Sequence, residues 1–456
     1  MTATLGPHLA SADPQLGELH ATAIATIRSN VAATDATEVL CAGADYPTPW
    51  TRDAAINCWS AVSLLDPNLA ERTLRAVCEL TSSGEIIAQD DQGWDQVIWI
   101  HGARRHVQIT GDHAFRRWAA GVAVRSLHVL EHRFRHDLGL YLGGAMMQDG
   151  ISGYPFPADD NATDSSFVLD HPDAHEIAAL STNILYVIGH EAAAELVVAD
   201  AERHRLRERA ARLRSAIRRH FAVGGRWAYL RLPDGSLDVS QELLGLALGV
   251  EHRLFDDAET DAVIGGLARE PRGPALVAPH FPRYSDTHPG RHNVMLWPMA
   301  IGQWGAAAAV RGRHSELDRT LGELTSLVSG SNGRFYEVYD ARDGRVSGGW
   351  QVGRWWTSVS DQTWSATAYL RLLYEGVVGM RFDDDGLSLV PHLPFGVGEL
   401  VLTGVRWRSR DLDIRLRGEG SSVVSATVDG VASGPHLPIR VIDTCGPCEI
   451  DVVLAP

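Results

Sequence analysis

The sequence contains no lysine, so its 41 lysine-plus-arginine residues are all arginine. This absence excludes several kinds of chemistry. A Schiff-base lysine, a pyridoxal-phosphate anchor and a P-loop lysine each need an amine that this chain does not have.

Cysteine is also sparse, with five residues in a chain of 456. An odd and scattered set does not indicate a secreted disulfide framework, so we expect a reducing cytoplasm. Cys445 and Cys448 have the CxxC spacing of redox and metal sites, but they lie in a strand-like tail with no helix after them. We therefore expect neither a redox role nor a metal role for this pair.

Long apolar runs and an export signal are missing as well. No stretch of about 18 uncharged apolar residues occurs, and residues 1–20 carry Asp13 and Glu18 without a basic start. The formal net charge of −16 opposes binding to nucleic acid or to an anionic membrane. We expect a cytoplasmic protein that binds a small molecule.

Apolar residues recur at helical spacing over most of the chain, between start signals at Ser, Thr or Asp and stop signals at Gly or Pro. They predict twelve helices near 15–32, 53–65, 67–80, 94–110, 112–135, 175–199, 202–221, 239–250, 257–267, 292–310, 314–328 and 360–376. The connectors alternate between short and long, which is typical of helical hairpins. Six hairpins closed into a ring form an (α/α)6 toroid, and its long loops gather on one face.

After Gly379 the pattern changes to short alternating segments, such as Leu387–Pro391 and Leu412–Leu416. Alternation at period two predicts strands, here of a small antiparallel β domain. We therefore predict a catalytic toroid over residues 1–379 and a C-terminal β-sandwich over residues 380–456.

The conspicuous polar and aromatic residues lie in the long loops. The first loop ends in Trp50-Thr51-Arg52-Asp53, and a flat ring beside an Arg-Asp pair suits a sugar, although Asp53 could also be a simple helix cap. The second loop carries Asp91, Trp94 and Asp95, which are either substrate ligands or helix caps.

The third loop contains Asp149 between Met147 and Ile151, followed by Tyr154. An apolar setting keeps a carboxyl group protonated at neutral pH, so Asp149 is a candidate general acid, and an ordinary Asp-Gly turn is the alternative. In the fifth loop, His288, Arg291 and His292 lack the spacing of a zinc site or a catalytic triad, and we expect no metal there.

The sixth loop places Glu337 next to Tyr336 in an extended aromatic segment that continues to Trp355. A carboxylate among rings is costly unless it is hydrogen-bonded or used, so Glu337 is a candidate base. Two carboxyl groups on opposite sides of one aromatic pocket predict glycoside hydrolysis, which needs no cofactor. The candidate substrate-binding residues are Trp50, Arg52, Asp53, Asp91, Trp94, Asp95, Tyr154, Arg291, His292, Trp297, Tyr336 and Trp355.

Several motifs resemble those of the six-hairpin glycosidases, above all glycoside hydrolase family 63 and the mannosylglycerate hydrolase-like enzymes. They are Trp50-x-Arg52-Asp53, Trp94-Asp95-Gln96, Asn293 to Trp297-Pro298, Phe335-Tyr336-Glu337 and Gln362-Thr363-Trp364-Ser365-Ala366, within residues 45–378. The tail from Leu387 is similar to the β domain that closes α-L-rhamnosidases.

This resemblance implies an inverting α-glycosidase in which Glu337 is the general base and Asp149 the general acid. The order of residues around Asp149 departs from the family motif, so Asp95 and Asp159 remain alternative acids. An inverting phosphorylase, with phosphate held by His288, Arg291 and His292, is one competing interpretation. A toroid that binds sugars without turnover is another, and a polysaccharide lyase is disfavoured because acids dominate the loops.

Overall fold

The structure is a computed structural model that describes residues 6–35, 37–156, 168–281, 289–351, 354–433 and 437–456. Within these residues it contains twelve α-helices of at least 7 residues. They are α1 (Pro14–Ser29), α2 (Thr51–Asn57), α3 (Pro67–Ala76), α4 (Asp95–Thr110), α5 (His113–Val129), α6 (Leu180–Leu196), α7 (Asp200–Phe221), α8 (Leu243–Glu251), α9 (Asp257–Gly265), α10 (Pro298–Val310), α11 (His314–Gly330) and α12 (Thr363–Arg371). Each overlaps one of the predicted segments.

Local signals in the sequence set the helix ends. Asp66 caps α3 and accepts a hydrogen bond from the amide of Leu69, with Pro67 in the first helical position. Gly111 ends α4 in the left-handed region at φ 71°, and Asp112 then caps α5. Trp297 is extended before Pro298, so α10 begins later than the predicted residue 292.

Alternate helices form an inner ring. α2 packs against α4, α4 against α6, α6 against α8, α8 against α10 and α10 against α12. Because α12 also contacts α2, the ring is closed. The helices between them, such as α5, α7 and α11, lie outside it, so each inner helix begins at the face where the long loops lie.

Further helical turns and short strands complete this part of the chain. α2 continues through Cys58–Val62 and Ser63–Leu65, and α12 continues through Leu372–Val377. Short helical turns lie at Leu130–Arg133, Ile151–Gly153, Val168–Asp170 and Pro172–His175. The short strands are Val31–Ala33, Glu38–Leu40, Cys78–Leu80, Ile86–Ala88, Phe134–Arg135, Leu140–Tyr141, Ala178–Ala179, Ala222–Val223, Arg226–Trp227, Leu230–Arg231, Leu237–Asp238, Gln241–Glu242, Arg269–Glu270, Gly273–Pro274, Val277–Ala278, Gly348–Gln351 and Arg354–Thr357.

The tail is built of strands, as predicted, but it is not purely antiparallel, because Arg410–Gly418 and Gly446–Ala455 pair in parallel. A six-stranded sheet has the order His8–Ser11, Glu399–Trp407, Arg410–Gly418, Gly446–Ala455, Ser422–Val428 and Val431–Ser433. A second sheet joins Met380–Phe382, Leu387–Leu389 and Ile439–Val441. The edge strand His8–Ser11 comes from the start of the chain, and one hydrophobic core runs through both parts. The boundary at residue 380 stays a prediction.

Candidate active site

An ion pair joins the first loop to the third. Arg52 and Asp53 lie in the first turn of α2, after the cap residue Trp50. Nη2 of Arg52 lies 2.8 Å from Oδ2 of Asp149, in the segment between α5 and α6. A charge-assisted contact of this length, shielded from water, is among the stronger polar contacts in a protein.

The ion pair with Arg52 corrects the prediction that Asp149 lies in apolar surroundings. Met146, Met147 and Ile151 are indeed buried around it, and Asp149 itself is only 7% exposed. Its carboxyl group, however, forms an ion pair with the guanidinium of Arg52. Chain neighbours alone did not reveal a partner that lies on another helix.

Asp53 is the most deeply buried acid of the site, with 1% exposure. Neither of its carboxylate oxygens is hydrogen-bonded within the described part of the chain. Burial raises its pKa to about 7, although Arg52 acts in the opposite direction; the charges of Glu337 and Asp149 add to the increase. Asp53 is therefore not a simple helix cap.

A third buried acid, Asp95, begins α4. Its Oδ2 accepts a hydrogen bond from the amide of Asp91 at 2.9 Å, while its Oδ1 is unbonded within the described residues. Burial raises the pKa of Asp95 to about 7, with Arg52 again opposing the effect. Burial works against the charged form of Arg52 as well, but the carboxylates of Asp149, Asp95 and Asp53 outweigh it and raise its pKa. One guanidinium is thus shared among three acids.

Glu337 lies across this cluster, in the segment between α11 and α12, and is 4% exposed. It forms an ion pair with Arg291 and accepts a hydrogen bond from the hydroxyl of Tyr46 at 3.2 Å. Burial raises its pKa, and Arg291 partly offsets the increase. The charge of Glu337 raises the pKa of Asp53, and the charge of Arg52 lowers the pKa of Glu337. Glu337 and the acids around Arg52 therefore belong to one electrostatic site.

His292 and Trp297 support this arrangement from the fifth loop. Nδ1 of His292 lies 3.0 Å from the carbonyl of Met147, and the indole Nε1 of Trp297 donates to the carbonyl of Arg291 at 2.9 Å. Burial lowers the pKa of His292 to about 4, so its ring is neutral at pH 7. The Cβ of any side chain at Gly150 would lie 2.6 Å from Cδ2 of His292, so glycine lets the loop pass against the ring.

The predicted binding residues differ in how open they are. Trp50 and Tyr336 are half-buried, Trp355 is 45% exposed and Asp91 is exposed. The ring centroid of Trp50 lies 4.9 Å from that of Tyr46. These rings are accessible platforms for a ligand.

By contrast, two predicted binding residues are enclosed by protein. Trp94 is 1% exposed and Tyr154 is 0% exposed. The hydroxyl of Tyr154 accepts a hydrogen bond from the amide of Ala145 at 2.9 Å. In this structure both rings support the second and third loops.

Two residues of the site were missed by the sequence reasoning. Tyr46 binds Glu337, and its position just before the Trp50 motif was the available signal. Gln148 is fully buried beside Asp149, with both amide atoms unbonded in the described ranges, and no pattern indicated it. Asp159, Asp160, Asp164, Arg283, Tyr284 and His288 lie outside the described residues.

No group of three or more His, Cys, Asp or Glu side chains in the described ranges is arranged to hold a metal ion. No described helix combines the length and the apolar character needed to cross a bilayer.

Comparison with solved structures places this fold among those of known glycosidases. A sialidase superimposes with a TM-score of 0.68 at 15% identity, over 88% of this chain and 37% of its own. A GH78 family rhamnosidase of Bacillus sp. GL1 superimposes with a TM-score of 0.60 at 13% identity, over 99% of this chain and 44% of its own. The GH63 mannosylglycerate hydrolase from Thermus thermophilus superimposes with a TM-score of 0.58 at 12% identity, over 78% of this chain and 100% of its own.

The resemblance to family 63 and to rhamnosidases is thereby confirmed in structure. The chain spans less than half the length of the sialidase and of the GH78 rhamnosidase. No protein-family model and no curated protein matches the sequence. At identities this low, the likeness establishes the fold alone.

Proposed function

We propose that this protein is a glycoside hydrolase of the (α/α)6 toroid class, an exo-acting α-glycosidase that inverts the anomeric configuration. One observation carries the proposal: two buried carboxyl groups, Asp149 and Glu337, reach one electrostatic site from loops far apart in the chain. The closed ring of inner helices supports the toroid. The glycosidases with the same fold support the class of reaction.

In this mechanism Asp149 protonates the glycosidic oxygen while Glu337 removes a proton from water on the opposite side of the sugar. Glu337 suits the second role, because Arg291 opposes the rise of its pKa on burial and the hydroxyl of Tyr46 donates a hydrogen bond that orients it. Asp149 has an oxygen, Oδ1, that is unbonded within the described residues and can face the leaving group. We expect the two carboxyl groups to stand about 6.5–9.5 Å apart when substrate is bound.

The burial of the acids supports action on a terminal sugar. Asp53, Asp95 and Glu337 are each 4% exposed or less, so little of an internal sugar chain could pass beside them. The substrate we propose is a small glycoside or oligosaccharide. Trp50, Tyr336 and Trp355 would stack on its rings.

The structure favours water over phosphate as the attacking group. Of the three residues that could hold phosphate, His288 lies outside the described residues. Arg291 is already paired with Glu337, and burial leaves His292 neutral at pH 7, so neither of these two offers a free positive charge to phosphate. A phosphorylase needs such a charge, and a hydrolase does not.

The test is a panel of aryl α-glycosides, assayed with and without phosphate. We expect turnover without phosphate, its loss in Glu337→Gln, and its loss in Asp149→Asn for the aryl groups that leave poorly without a proton. Asp200→Asn and Glu202→Gln on the outer helix α7 are matched controls that should keep wild-type rates. Proton NMR of fresh product should show inversion. Retention, strict dependence on phosphate, or binding without turnover would each contradict the proposal.

A further inference from the structure

Arg52 forms ion pairs with two carboxylates, but only the pair with Asp149 is close. Its Nη2 lies 2.8 Å from Asp149, whereas its Nε lies 3.7 Å from Oδ2 of Asp53, beyond hydrogen-bonding distance. Within the described residues this Nε has no acceptor, and the oxygens of Asp53 accept no hydrogen bond from another residue. A buried donor and a buried acceptor therefore face each other without bonding, which is costly unless the arrangement serves a second state.

The position of the proton follows from this geometry. Burial raises the pKa of Asp53 to about 7 and so favours its neutral form, while the guanidinium of Arg52 forms its close ion pair with Asp149. The reaction proposed above needs the reverse, because the general acid must carry the proton. The arrangement in the structure is therefore one step away from the reactive one.

We propose that Arg52 exchanges between Asp149 and Asp53, and that Asp149 becomes the general acid only when Arg52 lies on Asp53. The inference rests on the proposed role of Asp149. The exchange moves the guanidinium by roughly 1 Å toward Asp53, enough to close a hydrogen bond. Asp53 releases one proton and Asp149 takes up one, so the number of buried charges does not change.

This conservation of charge makes the exchange accessible. Each state contains one ion pair and one neutral carboxyl group, and neither leaves an unpaired ion in a low-dielectric site. A sugar whose glycosidic oxygen lies against Asp149 favours the second state, because that oxygen accepts a hydrogen bond from a neutral carboxyl group and not from a carboxylate. Arg52 is then a positioning residue that couples substrate binding to the arrival of the proton.

The neighbouring charges are compatible with the exchange. Arg52, Glu337 and Asp149 act on Asp53. Asp149 faces Arg52, Arg291, His292 and Asp95. Of these, Arg291 is held by Glu337, and burial keeps His292 neutral at pH 7. Arg52 is thus the cation that decides which of the two acids is ionised.

The kinetic test compares leaving groups on one sugar that the wild-type enzyme hydrolyses. In Asp53→Asn, Arg52 keeps its place on Asp149, so kcat for an unactivated alkyl glycoside should fall by roughly 10²- to 10⁴-fold, the contribution of an acid catalyst. For the 2,4-dinitrophenyl glycoside, which needs little protonation, the fall should be less than about tenfold. Asp53→Glu, which restores a carboxylate, should recover part of the loss.

Glu251→Gln is the matched control, because it also removes a carboxylate from a buried arginine, here Arg371. It should affect both substrates equally. If Asp53→Asn also slows both substrates by the same factor, Asp53 acts only in binding or structure, and the exchange is wrong.

A second test needs no turnover. In a crystal structure of Asp149→Asn, the first partner of Arg52 is neutral, so the guanidinium should bind Asp53 with a nitrogen-to-oxygen distance below about 3.2 Å. An Arg52 that stays beside residue 149 and apart from Asp53 would overturn the exchange, even if the glycosidase proposal holds. If the wild-type enzyme hydrolyses no glycoside while Arg52 moves in this variant, the function fails and the exchange survives.

Discussion

The ring of inner helices carries two buried clusters of charge, and they differ in how completely the charges are paired. Toward the carboxyl ends of the helices, Arg371 binds Glu251, Glu375 and Gln303, and Arg105 binds Glu375. We call these residues the floor network. At the loop face, within the part of the chain that the structure describes, the acids Asp53, Asp95, Asp149 and Glu337 share two arginines, Arg52 and Arg291.

The same chemistry therefore gives opposite results at the two ends. Burial acts against the charge of Glu251, yet Arg371, His252 and Arg105 together outweigh it and lower the pKa. For Asp53, burial outweighs Arg52 and raises the pKa to about 7. Paired charges fix a fold, whereas unpaired acids with raised pKa values are typical of sites that move protons. The comparison predicts that substitutions at the loop face lower the rate, whereas substitutions in the floor network lower the stability of the fold.

The largest expected effect is on rate at the loop face. Glu337→Ala removes the proposed base, and kcat should fall by roughly 10²- to 10⁴-fold. With a dinitrophenyl glycoside, added azide should restore turnover and give the glycosyl azide of inverted configuration, because azide replaces water and needs no base. An unchanged kcat, or an azide product of retained configuration, would remove Glu337 from this role.

The next effect is on the stability of the floor network. Arg371→Met leaves Glu251 without its ion-pair partner and Glu375 with Arg105 alone, and we expect the free energy of unfolding in urea to fall by about 3–5 kcal/mol. The rate per folded molecule should stay near wild type. Arg205→Met breaks an exposed pair with Glu202 and should cost less than about 1 kcal/mol. If kcat per folded molecule also falls in Arg371→Met, the two clusters are not separate.

Features set by residues close together in the sequence could be predicted, whereas contacts between residues far apart in the sequence could not. Helices were predictable because their signals are local, as Asp66-Pro67 before α3 and Gly111-Asp112 between α4 and α5 demonstrate. The loop-face acids were also predictable as a group, since each lies in a long loop or in the first helical turn beyond it.

The pairing of charges was not predictable in this way. Arg52 meets Asp149, and Arg371 meets Glu251, only after the helices have packed, and no spacing rule links such partners. The same limit explains Trp94 and Tyr154. An aromatic residue in an active-site loop can face the ligand or support the loop, and only packing decides between them.

The third effect is on how stability depends on pH. Burial raises the pKa of Asp95 in the folded chain to about 7, above its ordinary value of 3.8. Its contribution to stability is therefore complete below about pH 4 and is lost as the pH rises through about 7. Asp95→Asn removes the titrating group, so between pH 5 and pH 8 it should lose less stability than wild type, by on the order of 2–4 kcal/mol. Urea unfolding at both pH values measures this difference, and parallel losses would contradict it.

The smallest effect concerns Trp355, which lies at the rim of the loop face and belongs to neither cluster. Its ring is 45% exposed on the hairpin of Gly348–Gln351 and Arg354–Thr357, with its centroid 6.4 Å from that of Trp350. An exposed ring stacks on a sugar without touching the reacting atoms, so Trp355→Ala should raise KM by about 2- to 10-fold, the value of one aromatic contact, and leave kcat unchanged. Phe395→Ala, which removes an 88% exposed ring from the tail, should change neither constant. If Trp355→Ala instead lowers kcat and leaves KM unchanged, the hairpin positions the proposed base Glu337 and does not merely bind the sugar.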